Sequence, residues 1–274
     1  MIIHATNVPE AYSTLVRKID QANVSSVSDN HNPSHHTVSG DWHEFINVCI
    51  EIENPLERVV ALRSDPITFV PYMALQWAWY AWGKQNTELK QYFPQMWERA
   101  QEGDVNSNYG QYVWVERQFQ HCLNLLRKDP SSRRAIIMFN RREVAMSGTS
   151  DHICTTSLQF LIRNNRLNLI TTMRSNELHF GFRTDVVFFT MLQEMMATFL
   201  GLDVGTYFHN VGSLHIEYKN LTYEHATLIE WPTFHPDELG DMLQLRHFFD
   251  DEFTFESPFA LSTHLYHDLK FFKS

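Results

Sequence analysis

The alternation of apolar and polar positions is strongest in the middle of the chain. Ser157 to Ile162 and Leu167 to Met173 alternate as half-buried strands do, and Arg163-Asn-Asn-Arg166 between them has the composition of a hairpin turn. Glu44 to Ile52, ended by Asn54-Pro55, predicts a further strand, as do the apolar run Ala135 to Phe139 and the stretch Gly205 to Ile216. Elsewhere the spacing is helical. Pro9 to Gln21 predicts a first helix; Met73, Trp77 and Tyr80 recur at helical spacing within Thr68 to Trp82, with Gly83 as the stop. Pro94 to Gln101 predicts a short helix, and Asn106-Ser-Asn-Tyr-Gly110 a loop entering a longer one, Gln111 to Lys128. Val186 to Leu200 is apolar on nearly all sides, the pattern of a central buried helix, with Met191, Met195 and Met196 as core fillers. Ser25 to Gly40 reads as a polar, mobile loop, and Tyr223 to Glu230 and Pro236 to Leu245 as C-terminal helices.

Composition narrows the class. With 274 residues, 43% hydrophobic and 14% aromatic, and no long Gly/Ser linker, the chain is expected to form one domain around one large core. No apolar run approaches the ~20 residues that span a bilayer, and the start lacks the regions of a signal peptide, so no membrane partner is expected. Cys49, Cys122 and Cys154 lack metal-ligand spacing, and an odd count suits a reducing compartment, so a cytoplasmic location is expected. The formal charge of −10 argues against coating nucleic acid, which requires a broad basic surface. It permits capture of one phosphate, because a local arginine cluster suffices.

Two features carry candidate chemistry. Cys154 stands at the entrance to a strand, where nearby Arg174 or Arg183 can favour its nucleophilic thiolate; the alternative is a buried thiol used as a small hydrophobe. Arg133 and Arg134 stand at the mouth of Ala135 to Phe139, either solvated or as a phosphate cradle. His31, His35 and His36 lie in a polar loop without carboxylate or cysteine at ligand spacing and read as solvated, so no metal site is expected.

The pieces Val105-Asn-Ser-Asn-Tyr-Gly110, Ser132-Arg-Arg134, Asp151-His-Ile-Cys-Thr155, Gln159-Phe-Leu-Ile-Arg163, Met173-Arg-Ser-Asn-Glu-Leu-His-Phe-Gly-Phe-Arg183 with Asp185, and Asn210-Val-Gly-Ser-Leu-His215 occur in one order between Val105 and His215. In that order and spacing the chain resembles the thymidylate synthase family, and within it the deoxycytidylate hydroxymethylase branch found in phages. Residues 1–40 and 222–274 diverge from it. The resemblance implies an α/β fold in which a large mixed sheet is packed by helices on one side and by a partner subunit's sheet on the other, hence a homodimer. It implies that the Cys154 thiolate adds to C6 of a pyrimidine nucleotide, that C5 attacks the methylene of 5,10-methylenetetrahydrofolate, and that Tyr109 takes part in removing the C5 proton. Arg133 and Arg134 would reach the nucleotide phosphate of the partner subunit, while Arg174 and Ser175 complete the cradle from within. Trp97 approximately matches the tryptophan that stacks on folate, with core packing as its alternative.

Departures from the pattern bear on the reaction. Gln76 stands where the family has a catalytic glutamate; an amide can hold the same water but cannot exchange a proton. Asp185 stands where uracil-using synthases have asparagine, and a carboxyl sharing one proton can accept from N4–H and satisfy N3 of cytosine. Its alternative is a helix cap ahead of Val186. Around the sugar, His215 matches, but Glu217 replaces a tyrosine, with Tyr218 one place late. Hydroxymethylation of dCMP is therefore the expected activity. CMP hydroxymethylation, methylation of dUMP, another C5 reaction such as hydroxylation, and a non-catalytic nucleotide-binding relative are the alternatives.

Overall fold

The computed structural model describes residues 1–21, 27–28, 41–62, 65, 73, 76–77, 79–80, 83, 98, 105–146, 151–217, 220–221 and 228–229. Their frame is a mixed sheet. Strand β1 (Ile2–Ala5) runs parallel to β3 (Asp41–Ile52), which pairs antiparallel with β8 (Asp203–Glu217); β8 lies parallel to β7 (Arg166–Glu177), followed antiparallel by β6 (Thr155–Arg163) and β5 (Ile136–Met138). β2 (Val27–Ser28) adds to β3, a strand inside the stretch expected as a loop; main-chain pairing to β3 satisfies its backbone. β4 (Ala61–Leu62) and β9 (Leu228–Ile229) form a separate two-stranded ladder, so Leu228 and Ile229 are extended and not helical as expected.

The β6–β7 hairpin turns on Asn164 and Asn165, both left-handed at φ 52° and 58°, a conformation asparagine tolerates better than most residues. Among the helices, α1 is Val8–Gln21, α2 Gln118–Lys128, α3 Arg142–Ala145 and α4 Arg183–Leu200. The single helix expected over Gln111 to Lys128 is divided. A π-helical turn, Gln111–Val115, is followed by Arg117 in the left-handed region at φ 60°, which breaks the hydrogen-bond ladder. The Gln118 side chain pins the break to β5, donating to the Tyr112 and Met138 carbonyls and accepting from Met138 N–H at 2.9 Å.

α4 is enclosed along most of its length, as its apolar sequence requires, with Val186, Phe189 and Met196 fully buried. Its buried Gln193 donates to the carbonyls of Leu167 and Gly205 at 2.9 and 3.1 Å, where the β7–β8 register shifts and the ladder leaves carbonyls to be satisfied. A buried ion pair from Arg58 to Glu194 joins the segment after β3 to the same helix. The sheet face toward α4 carries Leu158, Phe160, Leu167, Leu169, Tyr207 and His209, all fully buried. Among the described residues no helix is long and apolar enough to cross a membrane.

Candidate active site

The site assembles where the start of β6, the end of β7, the start of α4 and the helical segment around Tyr80 converge. Cys154 is half-buried immediately before β6, and its carbonyl accepts the Arg174 N–H at 2.8 Å. The Arg174 guanidinium donates to the Ile153 and His152 carbonyls, both at 3.0 Å, so it shapes the loop that presents the thiol as well as offering charge. Asp151 holds the other side of that loop: its carboxylate accepts the Ser107 N–H at 2.9 Å, and its carbonyl accepts from Asn106 at 3.2 Å. Arg183, read as a possible activator of the thiolate, is instead fully buried and committed to the Val60 and His179 carbonyls and to an ion pair with Asp65. The other two cysteines are poor nucleophiles, since burial raises the Cys49 thiol and pushes that of Cys122 up to about 12.

Tyr109 is 5% exposed. Its ring packs on those of Tyr80, Phe139, Phe188 and Phe189. Burial raises its phenol well above the usual value, and its oxygen accepts from Thr155 Oγ1 at 2.9 Å. Thr155 supplying that oxygen leaves the Tyr109 proton to be donated elsewhere. Gln76, 4% exposed, donates to the Tyr80 hydroxyl at 2.9 Å while its Oε1 is buried without a hydrogen-bond partner among the described residues.

These two segments meet through glycine. Gly83, at φ 73°, stops the helical segment, and a Cβ there would lie 2.7 Å from the Gly110 carbonyl oxygen; a Cβ on Gly110 would overlap the Tyr80 carbonyl. Gly110→Ala is therefore expected to cost roughly 2 kcal/mol or more, since backbone must move to admit the methyl group. A thermal melt checks it, and an unchanged midpoint would show that the two segments are not held together.

Asp185, in the first turn of α4, does not cap a helix. Glu177 does so, its carboxylate accepting the N–H groups of His179, Phe180 and Gly181 at the π-helical turn Leu178–Phe182 that leads into α4. The Asp185 carboxyl accepts instead from Asn176 Nδ2 at 2.9 Å. Burial pushes it up to about 7 even though that donor favours the charged form.

On β8, His215 is half-buried with its ring edge-on to Trp42 at 5.1 Å, and its Nδ1 is buried without a partner among the described residues. Glu217, two residues on and pointing to the same side, is 5% exposed. Ser175 lies opposite Ser213 in the β7–β8 ladder, next to Arg174. Arg133 and Arg134 stand apart from this cluster with exposed side chains at the mouth of β5; the Arg133 carbonyl accepts from Gln159 at 2.8 Å. Trp97, Tyr218 and the three loop histidines lie outside the described residues. Sequence reasoning missed Thr155, Asp151, Asn176 and His209. The first three sit within the quoted motifs, but the contacts that give them a task span 9 to 46 residues of chain.

Comparisons with known proteins bear on the family and the fold. A family model described as Thymidylate synthase matches residues 73–244. The deoxycytidylate 5-hydroxymethyltransferase of Enterobacteria phage T4 is 34% identical over 139 residues, 45% of this chain and 56% of the relative. The deoxyuridylate hydroxymethyltransferase of Bacillus phage SP01 is 29% identical over 192 residues, 63% of this chain and 50% of the relative. The chain thus matches only 50–56% of the length of these two relatives. In fold it is similar to the solved thermostable thymidylate synthase A from Bacillus subtilis, with a TM-score of 0.65 at 20% identity over 83% of this chain and 87% of that one. With the mixed sheet, the cysteine before β6 and a family match over more than half its length, the chain belongs to the thymidylate synthase family.

Proposed function

We propose that the chain transfers a one-carbon unit to C5 of a cytosine nucleotide, as hydroxymethylation of dCMP with 5,10-methylenetetrahydrofolate. The observation that carries this reading is the half-buried Asp185 carboxyl, which accepts from Asn176 Nδ2 at 2.9 Å and which desolvation raises to about 7, so that it is able to hold a proton near neutrality. With its acid proton on the oxygen that faces N3, a neutral carboxyl donates to N3 and accepts from N4–H, which is the pattern of cytosine. The phage T4 relative, named for deoxycytidylate, supports the same choice.

In this reading the Cys154 thiolate attacks C6 and makes C5 nucleophilic. Arg174 holds the loop carrying the thiol and turns its remaining guanidinium N–H groups to the phosphate, beside Ser175. Tyr109, kept neutral by burial, orients water and passes the C5 proton rather than acting as a standing base. Bound 5,10-methylenetetrahydrofolate would supply the one-carbon unit. The Gln76 Oε1, without a partner among the described residues, fits a group presenting an N–H, or a water, at that wall, and Trp97 is the proposed stacking residue. The test is to incubate the protein with the folate and either dCMP or dUMP and to weigh the products. A hydroxymethyl-dCMP mass supports the proposal; product from dUMP alone overturns it.

The site is proposed to be completed by a second copy. The sheet face turned away from α4 carries partly exposed Leu161, Ile170 and Phe208, apolar surface that a partner's sheet would cover, and Arg133 and Arg134 are free to reach across. An equal mixture of Cys154→Ser and Arg133→Ala chains, each inactive alone, is expected to regain about a quarter of wild-type activity, since a hybrid dimer keeps one whole site of two. No recovery despite subunit exchange would place Arg133 outside the partner's site.

The buried Glu217 favours a second reading of the sugar. A carboxylate enclosed beside His215 can accept from both hydroxyls of a ribose, which would make CMP the substrate. Replacing Glu217 by tyrosine is then expected to move preference from CMP to dCMP by roughly tenfold or more, measured as the ratio of kcat/KM values. An unchanged ratio would return the sugar to dCMP.

A further inference from the structure

Behind Asp185 three side chains form one hydrogen-bonded line into the core. Asn176 Nδ2 donates to Asp185 Oδ2 at 2.9 Å, Asn176 Oδ1 meets His209 Nε2 at 3.0 Å, and His209 Nδ1 meets the Tyr207 hydroxyl at 2.8 Å. Asn176, His209 and Tyr207 are 3%, 0% and 0% exposed, and the Phe182 ring stands edge-on to His209 at 5.3 Å. Polar groups so enclosed depend on one another for their hydrogen bonds, which makes their polarity a property of the whole line.

That polarity follows from counting protons. Donation from Asn176 to Asp185 turns the Asn176 carbonyl oxygen toward His209, so the ring must donate from Nε2. Burial holds His209 down to about 3, leaving a neutral imidazole with one N–H to place. With that N–H on Nε2, Nδ1 accepts from the Tyr207 hydroxyl. Every bond then runs one way, from Tyr207 through His209 and Asn176 into Asp185.

The direction matters because a neutral carboxyl does not by itself choose between pyrimidines. One oxygen donates and the other accepts; cytosine offers an acceptor at N3 and a donor at N4, and uracil offers a donor at N3 and an acceptor at O4. Moving the acid proton between the two oxygens exchanges one partner for the other. We propose that Asn176, His209 and Tyr207 are positioning residues that keep Asp185 Oδ2 occupied as an acceptor, place its acid proton on Oδ1, and so hold the site to cytosine. This rests on Asp185 being the base reader. An asparagine turned the other way would draw the proton onto Oδ2, away from the base, and an apolar residue would leave it free to serve either pyrimidine.

Calorimetric binding of dCMP and dUMP without folate tests this on the full chain and its Asp185→Asn, Asn176→Leu, His209→Leu, His209→Gln and Tyr207→Phe variants. Wild type is expected to prefer dCMP. Asn176→Leu and His209→Leu each lower that preference by about tenfold, mainly through weaker dCMP binding. His209→Gln, which retains an N–H for the Asn176 carbonyl, preserves most of the preference. Tyr207→Phe, which removes only a hydroxyl and is the gentlest change to the core, lowers it by a smaller factor. If Asp185→Asn leaves the preference unaltered, the base-reader assignment fails and the relay with it. If Asp185→Asn shifts the preference while Tyr207→Phe and the folded Asn176→Leu or His209→Leu chains keep the wild-type ratio, the relay alone is overturned.

Discussion

Cys154→Ser is expected to reduce turnover about a thousandfold or more, because a serine hydroxyl is a far weaker nucleophile than a thiolate. Nucleotide affinity should stay within roughly twofold, since the groups assigned to phosphate, base and sugar are untouched. The loop that carries residue 154 is held by backbone contacts, Arg174 to the His152 and Ile153 carbonyls and Asp151 to Ser107, none of which uses the thiol. Loss of turnover can therefore be assigned to chemistry and not to a displaced loop. Steady-state rates with calorimetric binding check both halves. Appreciable turnover in the serine chain would reject covalent catalysis at this position, and lost binding would show that the sulfur also shapes the nucleotide site.

The second large effect is at Asp185. Asp185→Asn is expected to shift preference from cytosine toward uracil nucleotides by about 10- to 100-fold, the usual worth of one two-point base contact. The pH dependence gives an independent reading. The wild-type carboxyl holds its proton up to about pH 7, so dCMP binding should weaken as pH rises through that value, while the amide variant has no such limb. The same raised value acts on stability. Between the ordinary carboxylate value of 3.8 and about 7 the folded chain binds the proton more tightly than the unfolded chain. Asp185 therefore contributes stability below 3.8 that is lost as pH rises through about 7. Asp185→Asn should gain stability relative to wild type between pH 4 and pH 8, read from paired thermal melts. Tyr109 and Tyr207 both sense the Asp185 charge but keep their protons across this range, so the limb belongs to the carboxyl.

Family membership could be read from the chain because the motifs are local, and the fold brings the Cys154, Tyr109, Arg174 and Asp185 of those motifs into one region. The β6–β7 hairpin and the buried α4 could be read as well, since a two-residue asparagine turn and an all-round apolar helix are each written in contiguous residues. Misreadings fell where a distant contact outweighs local pattern. The helix expected over Gln111 to Lys128 breaks because Gln118 bonds to β5, and Leu228 and Ile229 are extended because β4 offers them a partner. The same holds for charge. Arg183 closes the quoted motif run, two residues before Asp185, and looks available, yet Asp65, the Val60 carbonyl and the His179 carbonyl consume its guanidinium.

By itself, then, the sequence determined the family, the hairpin, the central helix and which residue types stand at the candidate site, because backbone propensity and side-chain period act over a few residues. Only the tertiary structure decided what state those residues are in. Asp185 is an aspartate in the sequence, but burial raises it to about 7, and an asparagine nine residues before it and a histidine twenty-four after it set its hydrogen bonding. Desolvation and hydrogen-bond polarity are fixed by everything that surrounds a group, and residues remote in the chain supply most of those surroundings.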